Sequence, residues 1–593
     1  MGQRMARFVR SQKRGVTMIP RKTSRQLLAG CSVLALLAAA TPALAADTAA
    51  ADPKWAGFLD SYQEGYFQLE PASAVQAGRH EFDGKLPDWS AAGIGKEVAW
   101  LKAEQKQAQA FKQASLSPQQ RFEREYLLAR IDGELFWRDE AQEPFHNPSY
   151  YLDGSFDPSV YFERPYAPLE TRMKAFTNYL KAIPTAAAQI RANLKTPLPK
   201  TYVARSIAAF SGYADFFRND APQAFAGVSD QALQANLKAA IEPAAQAMLG
   251  VADWLQGEQP KATDNFALGP KLFADMLWRT ERVRTPLAEL EKVGKADLAR
   301  NLAALKEACA ELLPGGGIEA CVAKVEADKP QGGAVEGARA QLDQLRQFIL
   351  DKNLVTIPSE EKALVNEAPA YQRWNFAYIN IAGPYDKGMP STYYIAPPDP
   401  AWPKAEQDAY VPGKSVLLFT SAHEVWPGHF LQFLHANRSP FQFGQIFVGY
   451  AYAEGWAHYT EEMMWEAGLG DGAPDVHVGQ LSEALLRDVR FLCAIGMHTK
   501  GMTVQTCETM FREQAYQDAG NARQQAARGT YDPAYLNYTL GKLMIRKLRG
   551  DWTASHGGRA GWHDFHDQFL SYGGPPIPLV REQMLPKDKG GLF

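Results

Sequence analysis

Apolar residues recur at three- and four-residue spacing along most of the chain. WAGFLDSYQEGYFQLEP and QRFEREYLLARIDGELFWRDE set the pattern within residues 51–140. It returns over 169–357 in segments cut by TPLPKTYV, GEQPKATDNFALGP, LLPGGGIEAC and DKPQGGAV. This spacing lines one face of a helix, and proline and glycine mark the breaks. Two stretches depart from it. PFHNPSYYLDGSFDPSVYFERPYAP, rich in proline and aromatics, predicts an ordered loop near a cleft or a domain seam, its aromatics serving packing more than recognition. YQRWNFAYINIAGPYDKGMPSTYYIAPPDP carries aromatic and β-branched runs bounded by glycine and proline, which predicts short strands. Helices are predicted again over 416–436, 444–467, 478–498 and 534–549. The reading is a mainly α protein with a small β-sheet just ahead of helix 416–436. An edge strand there would bind an extended peptide backbone by strand addition, and the strand-like GMPSTYYIAP would hold substrate backbone with Tyr393 and Tyr394 near the site.

The beginning of the chain reads as an address. Arg21, Lys22 and Arg25 precede the apolar run LLAGCSVLALLAAA, and TPALA supplies small residues at Ala43 and Ala45. The expectation is a signal peptide over 1–45, cut after Ala45 or Ala46, with Met18 the more natural start. LAGC, ending at Cys31, resembles a lipoprotein box, but most of the apolar run follows Cys31 where a lipobox needs it before. The run is also shorter than the ~20 residues of a spanning helix. The expected product is a periplasmic or secreted chain with no stable membrane anchor. It divides into a helical region, 46–360, and a catalytic metal-binding region, 361–593.

Composition adds two constraints. Hydrophobic residues at 46% and charged residues at 22% are an ordinary globular balance, and a net charge of −3 supplies no field to attract nucleic acid. Beyond the leader the cysteines are Cys309, Cys321, Cys493 and Cys507. Their proximity in sequence predicts the disulfides Cys309–Cys321 and Cys493–Cys507, with four buried thiols as the alternative.

The candidate chemistry lies in SAHEVWPGHF, residues 421–430. A helical zinc motif, H-E-x-x-H, sets two histidines four apart on one face. Here His423 and His429 are six apart, which at about 100° per residue leaves them nearly opposite on a straight helix. The insert offers a remedy. Pro427 removes a helical hydrogen bond and Gly428 tolerates unusual backbone angles, so a bulge would swing His429 back. A third ligand is needed, and AYAEGWAHYTEEMM supplies it. Glu454 is the first choice and His458 the alternative. Gly455 would let that helix approach closely, and Glu461 shares the face of Glu454 and would orient a ligand imidazole.

His-Glu-x-x-Pro-Gly-His followed by Glu-Gly-Trp-Ala-x-Tyr-x-Glu resembles the bacterial domain-of-unknown-function 885 family, a group read as gluzincin-like metallopeptidases. GRHEFDGKLPDWS, RFLCAIGMHTKGMT, NYTLGKLMIRKLR and FHDQFLSYGGPPIPL resemble further family blocks, so the likeness runs from about Gly78 to Leu579 and joins both regions into one unit. One departure is Ala494, where the family pattern often has an acidic residue. The resemblance implies a helical gluzincin-like fold with a deep cleft. His423, His429 and Glu454 would hold one Zn²⁺, and Glu424 would act as general base. Tyr538 or, second, His498 would stabilise the oxyanion, with Tyr535 a further alternative. One of Arg487, Arg490 and Arg546 would bind a peptide C-terminus. The expected function is an exported zinc peptidase for short peptides, of carboxypeptidase or dipeptidase type. An amidase on cell-wall peptides and a catalytically silent binding protein are the alternatives.

Overall fold

Ser117 stands just ahead of Pro118, and in the computed structural model it opens a helix as that pairing favours. Its hydroxyl accepts from the Gln120 N–H while the Gln120 side chain accepts from the Ser117 N–H, a reciprocal cap. The structure describes residues 51–593 except 153–155, 374 and 588–589, so the expected signal peptide, the Cys31 box and the cleavage site lie outside the described residues.

The longer helices, in chain order, are α1 (Pro53–Leu69), α2 (Ala91–Ala110), α3 (Pro118–Leu135), α4 (Leu169–Asn193), α5 (Lys200–Ala224), α6 (Gln231–Glu258), α7 (Gly269–Glu281), α8 (Leu287–Leu312), α9 (Gly317–Ala327) and α10 (Ala334–Lys352). The stretch 144–168, expected as a loop, contains short helical turns such as Pro148–Tyr151 and Val160–Glu163. Its Tyr151, Phe156 and Tyr161 are buried, so its aromatics pack.

Three strands follow: β1 (Ala363–Glu367), β2 (Ala377–Asn380) and β3 (Ser391–Ile395). Their order is β1-β3-β2, with Tyr393 opposite Val365 in the parallel pair and opposite Ile379 in the antiparallel pair. β3 lies within GMPSTYYIAP, the stretch expected to hold substrate backbone, an expectation the sheet order corrects. It is the central strand, hydrogen-bonded on both sides, and every residue in it is buried. β1 and β2 are the edge strands, each paired within the sheet on one side.

The remaining helices are α11 (Lys414–Glu424), α12 (His429–Ala436), α13 (Tyr450–Glu466), α14 (Pro474–Thr499), α15 (Val504–Gln514), α16 (Ala519–Tyr531), α17 (Asn537–Thr553), α18 (Trp562–Ser571) and α19 (Ile577–Met584). Both expected disulfides are present. Cys309–Cys321 ties α8 to α9 across their glycine-rich turn, and Cys493–Cys507 ties α14 to α15. Among the described residues no helix is long and apolar enough to cross a membrane.

Two apolar cores hold these helices. One gathers side chains of α1 to α6, among them Trp55, Tyr62, Phe67, Phe176 and Phe217. The other joins α7 to α10 with the sheet and the later helices, through Phe273, Leu290, Leu345, Trp456 and Phe491. The segment between α12 and α13 crosses from one to the other. Its Phe443 and Phe447 pack against Tyr62 and Tyr66, and Tyr126 donates its hydroxyl proton to the Phe447 carbonyl.

Candidate metal centre

The single helix expected over 416–436 is two helices. α11 stops at Glu424, four residues leave the helical path, and α12 starts at His429. Gly428 donates its N–H to the Ala422 carbonyl at 2.9 Å. A Cβ on Gly428 would lie 1.7 Å from the His423 carbonyl oxygen, so only glycine allows this close return. Trp456 of α13, fully buried, donates its indole N–H to the Pro427 carbonyl at 2.8 Å and pins the turn. The Pro-Gly insert thus breaks the helix where the sequence suggested a bulge. The outcome for the histidines is the same: the two rings stand 4.8 Å apart at 89°.

α13 brings the carboxylate. It lies so close to α17 that a Cβ on Gly455 would meet the Gly541 Cα at 2.4 Å. Glu454 Oε2 is 3.2 Å from Nε2 of both His423 and His429. Ligand atoms of these three residues lie within 4.8 Å of one another. Donors about 2.0–2.1 Å from a shared tetrahedral ion would be roughly 3.3 Å apart, so this set of two imidazole nitrogens and one carboxylate oxygen fits zinc. Glu461 prepares one donor. Its Oε1 is 2.7 Å from His423 Nδ1 and its Oε2 3.0 Å from His458 Nδ1. A carboxylate only accepts, so Nδ1 of His423 donates to Glu461, and an ion bound at Nε2 would replace the proton that Nε2 shares with Glu454. His458, turned toward Glu461, lies outside the donor set.

The charges are unequal neighbours. Burial opposes ionisation of Glu454, yet the His429 charge and hydrogen bonds from both histidines hold its carboxyl well below the usual range. Burial likewise opposes ionisation of Glu461, and Arg487 and His458 outweigh it in the same direction. Glu424 differs: burial raises its carboxyl to about 7.

These residues open on a cavity of about 990 Å³ whose wall includes His423, Glu424, His429, Glu454, Arg487, Arg490, Arg528 and Tyr538, with β2 on another side. Tyr538 lies with its ring nearly parallel to that of His423, centroids 5.9 Å apart, and its oxygen accepts from Arg528 at 3.2 Å. Because that bond uses the oxygen as acceptor, the phenolic proton is left for another partner.

Five other expected residues are not brought to the cavity. Tyr393 is sealed within the central strand, and Tyr394 turns to Glu163. His498 accepts from the Leu268 N–H and donates to the Gly529 carbonyl at 2.7 Å, a buried structural role. Tyr535 is fully buried against Cys507. Arg546 pairs with Glu462 and Asp297. Sequence reasoning missed Arg528, Gln525 and the β2 residues Tyr378 to Asn380 on the wall. The aromatic and β-branched run of β2 was visible; nothing local singled out Arg528.

A family model described as bacterial protein of unknown function (DUF885) matches residues 71–584. No curated protein matches the chain. Among solved structures, a candidate lipoprotein of unknown function from Shewanella oneidensis is similar at 24% identity and a TM-score of 0.72, over 90% of this chain and 100% of that one. A candidate lipoprotein from Colwellia psychrerythraea is similar at 18% identity and a TM-score of 0.74, over 90% and 98%. At these identities the likeness is one of fold.

Proposed function

We infer, for a chain that belongs to the bacterial DUF885 family, an exported zinc-dependent peptidase that hydrolyses short peptides. The observation that carries this is the convergence of His423, His429 and Glu454 beside the protonatable Glu424 on one cavity wall. The resemblance of HEVWPGH and EGWAHYTEE to gluzincin motifs supports the same reading. Export is supported by the leader-like sequence, by the two disulfides and by two fold neighbours described as candidate lipoproteins.

A zinc ion held by His423, His429 and Glu454 would polarise the scissile carbonyl and ease deprotonation of water. The chain's own groups do the rest. Glu424, with a carboxyl near 7, takes a proton from the attacking water and returns it to the departing amine. Tyr538, its oxygen already accepting from Arg528, donates its proton in a hydrogen bond to the developing oxyanion. Glu461, by accepting from Nδ1 of His423, would leave Nε2 to face the ion. The side of β2 away from β3 offers backbone groups to an extended substrate, the part the sequence reading gave to GMPSTYYIAP.

The test is bound zinc per chain, with peptide turnover, in wild type, His429→Ala and Glu424→Gln. One zinc in wild type and Glu424→Gln, less in His429→Ala, and turnover only in wild type are expected. Zinc bound without turnover of any peptide would favour the silent binding protein, and a folded wild type that takes no zinc would end the metal reading.

A further inference from the structure

Three guanidinium groups surround the Tyr538 ring. Arg490 lies 4.6 Å from its centroid, Arg528 5.5 Å and Arg487 6.0 Å. Two of them are matched by acids. Arg487 pairs with Glu483 and lies 3.5 Å from Glu461, and Arg528 pairs with Asp532 at 3.0 Å. Arg490 differs. It is 4% exposed, and its Nε donates to Gln525 Oε1 at 2.8 Å. Among the described residues no carboxylate pairs with it and neither terminal nitrogen has a protein acceptor. Burial and the charges of Arg528 and Arg487 lower it to about 10, which still leaves it a cation at neutral pH. A buried cation without a counter-charge is costly in an empty pocket and is relieved by a bound anion.

Position decides which anion. Arg490 is on the wall of the cavity that holds the donor triad, and its guanidinium and the His423 ring both lie near the Tyr538 ring, 4.6 and 5.9 Å from its centroid. That span corresponds to roughly one or two residues of extended peptide. Gln525, itself donating to Asn521 at 3.1 Å, fixes the Nε edge of the fork and leaves the two terminal nitrogens for a planar, bidentate partner. Resting on the peptidase reading, we propose that Arg490 binds the free α-carboxylate of the substrate, and that the chain cleaves short peptides one or two residues from their C-terminus. In that hydrolysis the amide C–N bond breaks, the water oxygen bonds to the carbonyl carbon, and a water proton ends on the departing amine.

The experiment compares acetyl-trialanine with its C-terminal amide on the zinc-loaded full chain. Wild type is expected to favour the free acid at least tenfold in kcat/KM. Arg490→Gln is expected to lose at least tenfold on the acid while changing little on the amide, with Arg490→Lys recovering part of the loss. Equal rates on acid and amide in wild type would overturn the proposal, and that comparison needs no variant to fold. Calorimetry on zinc-loaded Glu424→Gln with dialanine and dialanine amide separates this proposal from the peptidase reading. If no peptide is ever hydrolysed the peptidase reading fails, yet tighter binding of the acid, lost when Arg490→Gln is added, still supports carboxylate recognition. Equal binding of the two overturns it.

Discussion

Glu461 shows how much a single side chain can organise. It is fully buried, accepts from His423 with one oxygen and from His458 with the other, and lies within ionic reach of Arg487. Glu461→Gln is expected to lower zinc affinity about ten- to hundredfold, because an amide no longer obliges Nδ1 of His423 to donate. Competition with a chromophoric chelator measures this, and unchanged affinity would remove Glu461 from that role. Gly428 is a second such position. Gly428→Ala drives a Cβ into the His423 carbonyl, so a loss of about 2 kcal/mol or more in urea unfolding is expected, together with weakened zinc binding. The residues that do converge, His423, Glu424, His429, Glu454, Glu461 and Tyr538, were legible because their motifs are local. Tyr394, His498 and Arg546 were not, since each is committed to a partner distant in sequence, Glu163, Gly529 and Asp297 respectively.

At the scale of elements, the break between α11 and α12 and the glycine contact of α13 with α17 place the donors. Glu281, from the end of α7, holds the start of α13 by accepting from the Ala451 N–H at 3.3 Å and from Asn537 at 2.9 Å. Its other oxygen is buried without a partner among the described residues, and burial raises the carboxyl to about 7. An acid that binds its proton more tightly in the fold than in the unfolded chain favours the fold below its unfolded pKa, and the advantage is lost as pH rises through the folded value. Wild type should therefore lose up to roughly 3 kcal/mol relative to Glu281→Gln between pH 4.5 and above pH 7. Denaturant midpoints across that range check it, and parallel profiles would show Glu281 to be ionised in the fold. Helix existence followed from periodicity. The break at 425–428 and the central place of β3 did not, because the first is pinned by the Trp456 indole on the Pro427 carbonyl and the second depends on pairing with β1, which lies ahead of the stretch that reads as strand.

For the molecule as a whole, the disulfides lock two neighbouring helix pairs of the site-bearing core. Replacing Cys493 and Cys507 by serine is expected to cost about 2–4 kcal/mol and to lower the thermal midpoint, as calorimetry would show; an unchanged midpoint would mean the bond adds no constraint beyond packing. The crossing segment between α12 and α13 has a different consequence. Two of the proposed zinc donors precede it and the third follows it, while Phe443 and Phe447 at its middle are embedded among side chains of α1 and α3. The segment is a tether whose anchor is in the other core. If that core melts, the tether slackens and Glu454 loses its register with His429. The chain therefore resists dissection: a fragment cut away ahead of α7 would keep every proposed donor in its sequence and lose the anchor of the segment that joins them.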